Sequence, residues 1–579
     1  MKLLKKLSWF FKLEKWPYIT GILALSLVSL LNLLPPRVIG EVIDQIASRD
    51  LTNLELAYQL FILVLSALAM YALRFVWRKY ILGTANRLGR ILRYRLFEHF
   101  TRMSPSFYQT YRTGDLMAHA TNDINAVVGV AGGGVMSSVD ASITALVTIL
   151  TMFFVLDWRL TLIAILPLPF MAWGTSLIGR KNHESFKAAQ EAFSDLNNKV
   201  QESVSGIKVT KSFGYQDAET AAFARINQDV FKKNILAAKY NALFDPMVLI
   251  FVGLSYLLTL IFGGLFISQG QLTLGELVTF ITYLDMLVWP LQAMGYLFNI
   301  SQRGTVSYER IESLLAQESD VIEVASPIKD IKNGRLDYSI QEFAYDDRPT
   351  LRDLHFSIEQ GQTLGIVGVT GSGKTTLLRL LLREQDIQDG NICLAGHDIR
   401  DYSLSALRSL IGYVPQDQIL FATSIRDNIR FGNPILSDED VIAVTKLCGI
   451  YEDIMQMPNG FDTLVGERGV SLSGGQKQRL AMCRALILNP EILILDDSLS
   501  AVDAKTEHLI LDNLKRERSG KTTLITAHRL SAVVHADLIL VLDQGRIIES
   551  GSHQELLTQD GWYATTYQNQ QLAESLEEV

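Results

Sequence analysis

The fold of this 579-residue chain is restricted most by six long, nearly uncharged apolar stretches, which all lie before about residue 300. A bilayer has a hydrocarbon core about 30 Å thick, and about 20 helical residues are needed to cross it. The stretches that meet this length are approximately residues 18–34, 56–73, 127–156, 160–178, 243–267 and 274–300. The sequence therefore predicts a polytopic α-helical membrane domain with six transmembrane helices.

The basic residues predict the orientation of these helices, because cytoplasmic connections retain Lys and Arg. The connection between the second and third stretches contains nine such residues, and the one between the fourth and fifth contains ten. The connections on the other side contain only Arg37, Arg49 and Arg159. Both termini are therefore predicted to be cytosolic, in a multi-pass protein of the cytoplasmic membrane. Residues 1–15 mix lysines with leucines and aromatic residues, which is typical of an amphipathic helix on the inner membrane surface.

The two basic connections also have apolar residues at helical spacing, so the membrane helices are predicted to continue into the cytosol. Their turning points contain Gly114 and Gly214 beside acidic residues. We expect a short transverse helix to begin at each of these tips.

After about residue 320 the apolar runs are too short to cross a membrane and end in polar groups, which is typical of strands in a soluble core. The three cysteines, Cys393, Cys448 and Cys483, lie in this half without close spacing, so they indicate neither a disulfide nor a metal site. The net charge of -8 argues against a nucleic-acid partner, because binding to phosphate backbones requires clustered Lys and Arg.

Residues 368–375 match the phosphate-binding loop GxxxxGK[ST], with a predicted strand before them and a predicted helix after them. The glycines let backbone amides surround a phosphate at the start of the helix. Lys374 is expected to neutralise the β- and γ-phosphate oxygens, and the Thr375 hydroxyl to bind Mg²⁺. The predicted ATP-binding residues are Gly368, Val369, Thr370, Gly371, Ser372, Gly373, Lys374, Thr375 and Thr376.

A second glycine-rich segment opens another predicted helix and forms a second anion site. It consists of Leu472, Ser473, Gly474, Gly475 and Gln476. This segment lies too far along the chain to belong to the phosphate loop. If both segments bind one nucleotide, the second surface comes from another copy of the domain.

Polar side chains follow three further predicted strands. Asp496 ends the apolar run 492–495 and suits an Mg²⁺ ligand. His528 follows another strand, where it can approach a γ-phosphate, and Gln416 follows a third, where its amide can reach the metal or the attacking water. Tyr345 precedes the phosphate loop by one short strand, and its ring can stack on adenine.

In this order the motifs resemble those of the ATP-binding cassette (ABC) exporters, specifically half-transporters in which six membrane helices are fused to one nucleotide-binding domain. The resemblance covers nearly the whole chain. It implies an α/β P-loop ABC ATPase domain with a helical subdomain, and ATP and Mg²⁺ as cofactors. It assigns residues 1–15 to the interfacial helix, 16–320 to the transmembrane domain, 321–333 to a linker and 334–579 to the nucleotide-binding domain.

The resemblance also implies that two such domains dimerise head to tail. Each ATP would lie between the phosphate loop of one chain and the segment 472–476, the family's signature motif, of the other. The implied metal ligands are Thr375, Gln416 and Asp496, and the tips near Gly114 and Gly214 match the coupling helices. The loop that crosses to the partner site corresponds to Ser500, Ala501, Val502 and Asp503.

One residue departs from the family pattern. Asp497 stands where the family has a catalytic Glu, and its side chain is one methylene shorter. A base placed too far from the attacking water forfeits much of its contribution, which is typically about 10²- to 10⁴-fold. The pattern resembles the degenerate-site subunit of the heterodimeric multidrug exporters of Gram-positive bacteria, so the expected partner is a different half-transporter.

Asp285 and Asp140 lie within predicted membrane segments, and ionisable groups at that depth usually face a cavity or a partner. With Trp289 beside Asp285, these residues would suit small amphipathic cations. Asp285 is equally compatible with a pairing to another helix or with a position near the water interface. Membrane lipids are the other expected partners.

Functions from other classes fit the sequence less well. The six apolar stretches exclude a soluble ABC-type ATPase that acts on DNA or ribosomes. A channel or receptor regulated by ATP does not require the paired phosphate loop, signature motif and His528. A homodimeric lipid flippase or peptide exporter remains the alternative, and Asp497 is the feature against it.

Overall fold

The computed structural model describes residues 2–345, 348–466 and 472–577. It contains two compact units. Residues up to Thr101, together with Gly114–Gln317, form the first unit. The segment Arg102–Thr113 packs with the residues from Glu318 onward in the second unit, although it stands between two membrane helices in the sequence.

Among the described residues, six long helices are apolar enough to cross a membrane. They are α1 Lys15–Ser48, α2 Asn53–Arg102, α3 Thr113–Leu156, α4 Trp158–Ser205, α5 Gln216–Ser268 and α6 Leu274–Leu315. Each contains one predicted apolar stretch. The helices are 34 to 53 residues long, whereas about 20 residues suffice for a bilayer, so the apolar pattern marks only part of each helix.

Several of these helices contain local irregularities. The irregular α1 consists of Lys15–Leu31 and Leu34–Ser48, while π-helical turns interrupt α2 and α3. These turns lie at Arg78–Leu82, His119–Asp123, Val130–Gly134 and Met152–Leu156. Capping boxes fix two of the helix starts: Thr52 pairs with Glu55 at α2, and Thr273 pairs with Glu276 at α6.

The N-terminal helices Lys2–Lys6 and Ser8–Leu13 pack against protein. Leu3, Leu7 and Phe10 are completely buried, and Lys6 forms an ion pair of 2.7 Å with Glu312 of α6. The apolar face of this amphipathic segment is therefore covered by the chain itself, and a contact with lipid is left to its exposed side chains, such as Leu13.

A short helix precedes the glycine of each predicted tip, and a further helix begins beside each glycine, at Thr113 and at Gln216. The short helices span Pro105–Thr110 and Ile207–Ser212. Pro105 occupies the first turn, where its fixed φ favours helix formation. Gly114 lies in the first turn of α3, and Gly214 adopts a left-handed φ of 63°, which ends the second tip.

The second unit has two sheets. The strands are β1 Leu336–Tyr345, β2 Arg348–Ile358, β3 Thr363–Gly368, β4 Asp389–Leu394, β5 His397–Asp398, β6 Ile411–Val414, β7 Ile492–Asp496, β8 Thr522–Thr526, β9 Leu538–Asp543 and β10 Arg546–Gly551. An antiparallel sheet has the order β2-β1-β4-β5, and a larger sheet has the order β10-β9-β3-β8-β7-β6. The larger sheet is parallel except at β10.

The helices of this unit are α7 Lys374–Leu381, α8 Leu404–Ser409, α9 Ile425–Ile429, α10 Asp438–Leu447, α11 Tyr451–Met455, α12 Gly474–Leu486, α13 Ala504–Glu517, α14 His553–Thr558 and α15 Trp562–Glu577. Hydrophobic cores cover both faces of the larger sheet. Ile492 and Ile494 of β7 belong to one core, and Leu493 and Leu495 belong to the other. This double burial explains why the strand is continuously apolar up to Asp496. Six membrane helices followed by an α/β domain confirm the predicted fold class.

Within the first unit, α1 and α6 approach so closely that their backbones touch. An ideal Cβ added to Gly275 would lie 2.0 Å from the Gly40 carbonyl oxygen. The Asp44 carboxylate accepts the Gly275 N–H at 2.7 Å and the Thr273 hydroxyl at 2.6 Å. Close backbone contact between small residues is a common basis of helix association in membranes.

We expect Gly275→Ala to destabilise the protein by about 1–3 kcal/mol, because the added methyl group forces α1 and α6 apart. The measurement is the apparent melting temperature of the detergent-solubilised protein. Gly264→Ala is the matched control, since a Cβ at Gly264 of α5 meets no atom within 4 Å. Equal melting temperatures for the two variants would contradict the importance of this contact.

Candidate nucleotide-binding site

The carboxyl ends of the parallel strands meet at one edge of the larger sheet. There β3 leads into the phosphate loop, β6 leads to Gln416, β7 ends at Asp496, and β8 leads to His528. Ligands of open α/β folds bind outside this edge. The strand order thus brings together residues that are distant in sequence, such as Thr375 and Asp496, which lie 121 positions apart.

The phosphate loop has the backbone geometry that its glycines permit. Gly371 and Gly373 have φ values of 84° and 102°, and α7 begins directly afterwards at Lys374. The Lys374 ammonium group donates to the carbonyl oxygens of Gly368 at 2.8 Å and Val369 at 3.0 Å. Burial lowers the pKa of Lys374, while the carboxylates of Asp497 and Asp496 oppose this effect.

A buried polar atom in this loop is compatible with a phosphate ligand. The Ser372 hydroxyl is buried and has no hydrogen-bond partner among the described residues. Buried hydroxyl groups are normally paired, so an unpaired one inside a phosphate loop provides a donor for a phosphate oxygen. The residues of this loop therefore fit a nucleoside triphosphate.

Asp496 accepts hydrogen bonds from three hydroxyl groups. Its Oδ1 accepts from Thr375 at 3.0 Å and from Thr526 at 2.7 Å, and its Oδ2 accepts from Tyr413 at 3.4 Å. Burial, the main cause, together with the charge of Asp496, raises the pKa of Tyr413 to about 12, so this phenol remains a donor. A buried carboxylate beside a threonine hydroxyl is the oxygen ligand set that Mg²⁺ prefers.

Asp497 follows with a left-handed backbone, at φ 46°. Its N–H donates to the carbonyl oxygen of Thr526 at 3.1 Å and to the Thr526 hydroxyl at 3.0 Å. Its Oδ2 accepts from the Gln416 amide at 3.5 Å, and its side chain lines a cavity together with His528. Burial raises the pKa of Asp497, whereas the neighbouring His528 lowers it.

Hydrogen bonds join the helix that begins with the signature motif to residues 500–503, which we call the crossing loop. Ser473 caps α12, because its hydroxyl oxygen accepts the Gln476 N–H at 3.3 Å. In return, the side-chain oxygen of Gln476 accepts the Ser473 N–H at 3.1 Å. Two residues later, Gln478 donates to the Ser500 hydroxyl at 3.2 Å and accepts the Ala501 N–H at 3.0 Å. An ideal Cβ on Gly475 would lie 2.9 Å from the Ala501 carbonyl oxygen.

The crossing loop ends where α13 begins. Asp503 caps this helix by accepting the Thr506 N–H at 3.0 Å. Val502 is buried in the hydrophobic core, while Ser500 is exposed. The loop is therefore fixed at both ends, by Gln478 on one side and by the helix cap on the other.

Tyr345 lies at the end of β1. Its ring meets that of Phe343 edge to face, with centroids 5.1 Å apart. It lines a cavity with Arg379 and Glu384, and with Gln109 from the segment Arg102–Thr113. The Tyr345 side chain is partly exposed, and its stacking on adenine stays a prediction.

Comparison with known proteins agrees with this geometry. Residues 18–291 match the family model of the ABC transporter transmembrane region, and residues 351–500 match the model named ABC transporter. A "probable multidrug resistance ABC transporter ATP-binding/permease protein", YheI of Bacillus subtilis, is 44% identical over 98% of both chains. This chain belongs to the ABC transporter family.

Two further proteins place the transporter more closely. An ATP-dependent lipid A-core flippase of Syntrophus aciditrophicus is 34% identical over 84% of this chain and 80% of its own. The structure of a bacterial Atm1-family ABC exporter with ATP bound matches with a TM-score of 0.81 and 28% identity, and covers 96% of this chain and 99% of the other. The transporter is thus an ABC exporter half-transporter that couples ATP hydrolysis to export.

The membrane carboxylates of the transporter occupy two separate pairs. Asp285 Oδ1 accepts from the Tyr256 hydroxyl at 3.0 Å, and Asp140 Oδ2 accepts from the Trp289 indole N–H at 3.3 Å. The Trp289 side chain is half exposed. Both carboxylates therefore have a neutral partner from another helix.

The structure also reveals residues that sequence reasoning missed. Gln478 joins the signature motif to the crossing loop, and Tyr413 contacts Asp496. The position of Tyr413 within a strand that ends near Gln416 was the available signal, because alternate side chains of that strand face the same site. Gln478 gave no signal, because polar residues are common in the first turns of helices.

We expect Asp497→Asn to raise the thermal stability of the transporter at neutral pH in the absence of nucleotide and metal. The folded pKa of Asp497 lies above its unfolded value, so its favourable contribution is complete below the unfolded pKa and is lost as the pH rises through the folded pKa. The gain should shrink as the pH approaches 4, near the ordinary aspartate pKa. Melting temperatures of both proteins across this pH range test this, and a gain that does not depend on pH would contradict it.

Proposed function

We propose that this exporter subunit is one half of a heterodimeric multidrug exporter of the cytoplasmic membrane. Its own phosphate-loop site binds ATP but hydrolyses it slowly, and its signature motif completes an active site on a different partner chain. The observation that carries the proposal is the combination of Asp497 with an otherwise complete set of motifs.

The backbone around Asp497 is fixed, so it cannot compensate for the shorter side chain. The Asp497 N–H is held by both the carbonyl and the hydroxyl of Thr526, so the main chain is not free to advance toward the nucleotide. The reach of the carboxylate is therefore set by its side-chain length alone. A catalytic base must lie within hydrogen-bond reach of the water that it activates, and a displacement of about 1 Å can cost about 100-fold in rate.

The remaining residues of the site retain their family roles in this proposal. Tyr345 stacks on adenine, residues 368–376 hold the phosphates, and His528 contacts the γ-phosphate. Thr375, Asp496 and Gln416 would hold Mg²⁺, which when bound neutralises charge on the β- and γ-phosphate oxygens. Lys374 exchanges its two carbonyl partners for phosphate oxygens when ATP binds.

The signature motif acts on the nucleotide of the partner chain. Ser473 at the start of α12 offers a hydroxyl group and a helix N-terminus to the γ-phosphate of that nucleotide. Gln478 couples this surface to Ser500 and Ala501 of the crossing loop. Residues 472–476 and 500–503 are therefore presented to the partner as one body.

The basic connections support an orientation in which both termini and the ATPase domain lie in the cytosol. The multidrug assignment is supported by the name of the Bacillus relative. The amphipathic cations expected as substrates would interact with Asp285, Asp140 and Trp289. A homodimeric lipid flippase or peptide exporter is the alternative, and the relative named as a lipid A-core flippase keeps it open.

ATPase measurements test the heterodimer. We expect this chain purified alone to hydrolyse ATP slowly and the complex with its partner to be active, because only the partner supplies a catalytic glutamate. Asp497→Asn should leave the activity of the complex nearly unchanged. Vigorous hydrolysis by the isolated chain, insensitive to Asp497→Asn, would refute the proposal.

The same assay on Asp497→Glu provides the matched gain-of-function variant. The added methylene should bring the carboxylate within reach of the water and raise the activity of the complex to as much as about twice that of the natural protein. Absence of any increase would place a further defect in the signature motif of the partner.

Substrate recognition is tested by Asp285→Asn. If the carboxylate attracts cations, the variant should export a cationic dye at least several-fold more slowly and a neutral dye at an unchanged rate. The Tyr256 hydroxyl can still donate to the oxygen of the new amide, which keeps the helix contact intact. Unchanged export of the cationic dye would remove Asp285 from the binding site.

A further inference from the structure

The C-terminal helix α15 contacts the backbone around His528 through one side chain. The Gln570 amide nitrogen donates to the His528 carbonyl oxygen at 2.9 Å, and its amide oxygen accepts the Leu530 N–H at 2.8 Å. Both partners lie about 40 positions earlier in the sequence. One amide thus satisfies a donor and an acceptor on either side of Arg529.

The helix does not depend on Gln570 for its own position. The Glu549 carboxylate accepts the N–H groups of Trp562 at 2.5 Å and Tyr563 at 3.1 Å, which fixes the first turn. Tyr563 is completely buried, and its hydroxyl lies 2.8 Å from His553 Nδ1. Gln570 lies two turns further on, at a point that these contacts already place beside residues 528–530.

The segment 528–530 is also held from its other side. The Arg529 guanidinium forms an ion pair of 3.1 Å with Glu507 and donates to the Val502 carbonyl oxygen at 3.4 Å. The His528 side chain itself is exposed and lines the same cavity as Asp497. The direction of the imidazole is therefore determined mainly by the backbone that carries it.

We propose that Gln570 is a positioning residue for His528, which fixes the backbone of residues 528–530 so that the imidazole faces the γ-phosphate of ATP. This inference rests on the role of His528 in the proposed function. It assigns to the C-terminal helix a part in nucleotide recognition, outside the motifs that the sequence identified.

A positioning role predicts a specific change in nucleotide preference. ADP has no γ-phosphate, so the direction of the His528 side chain affects the affinity for ATP and not that for ADP. Without the Gln570 amide, residues 528–530 lose two hydrogen bonds. We expect the affinity for ATP to fall about threefold to tenfold, the range that corresponds to one net hydrogen bond.

The experiment is photolabelling of the full-length transporter with 8-azido-ATP, in membranes and with Mg²⁺ present, with ATP or ADP as competitor. A gel shows the label on this chain separately from any partner chain, so the result does not depend on the oligomeric assignment. The variants are Gln570→Ala, Gln570→Glu and His528→Ala. Gln571→Ala is the matched control, because among the described residues the Gln571 amide donates only to Tyr567 within its own helix, at 3.0 Å.

Both Gln570 variants should require more ATP for half-maximal competition, while the ADP requirement stays constant. Gln570→Glu retains an acceptor for the Leu530 N–H but places a carboxylate oxygen against the His528 carbonyl, so it should not rescue. Gln571→Ala should match the natural protein. An equal loss for ATP and ADP in Gln570→Ala would indicate a general packing defect and overturn the inference.

His528→Ala separates this inference from the proposed function. If it reduces ATP competition and Gln570→Ala does not, the positioning role of Gln570 is wrong while the role of His528 stands. If His528→Ala leaves the ratio of ATP to ADP competition unchanged, the proposed role of His528 is wrong, and the inference fails with it.

Discussion

The arrangement of the nucleotide site depends on one buried carboxylate. Asp496 accepts hydrogen bonds from three hydroxyl groups, those of Thr375 in α7, Tyr413 in β6 and Thr526 in β8. These three elements and β7 are thereby joined at the sheet edge where the phosphate loop begins. Because a buried carboxylate is costly unless it is hydrogen-bonded, the loss of any donor disturbs several elements at once. The same carboxylate is the expected metal ligand, so the contacts that stabilise the fold also prepare the site.

The positions of the other functional groups follow from this centre by short steps. Thr526 fixes the backbone of Asp497, and β8 continues to His528. Asp497 leads into the crossing loop, which Gln478 joins to the signature helix. The signature helix α12 and the phosphate site are thus connected through eight consecutive residues, 496–503. Under the proposed function, this segment joins the two surfaces that bind nucleotide.

Much of this architecture could be predicted from sequence, and the reasons are physical. Apolar stretches of about 20 residues have few alternatives to membrane helices, and a glycine-rich loop between a strand and a helix has a narrow range of functions. The helix beginning at Thr113 agrees with the expectation at the first tip, whereas Gly214 follows the short helix of the second tip and ends it with a left-handed backbone. Tyr413 and Gln478 were missed because they act through hydrogen bonds to Asp496 and Ser500. These partners are distant in sequence, and the spacing of residues alone does not reveal such contacts. The packing of Arg102–Thr113 with the second unit could not be predicted either, because this segment lies between two membrane helices in the sequence.

The backbone at Asp497 has a consequence for how such transporters diversify. Two bonds to Thr526 involve only the main-chain N–H, so the local conformation does not depend on which acidic side chain is present. Aspartate and glutamate codons differ only in their third base. Under the proposed function, exchange between a slow and a fast ATP site is therefore a single-nucleotide event that leaves the local backbone intact. On this side of an exporter, a difference between the two ATP sites can then arise, or disappear, through one codon.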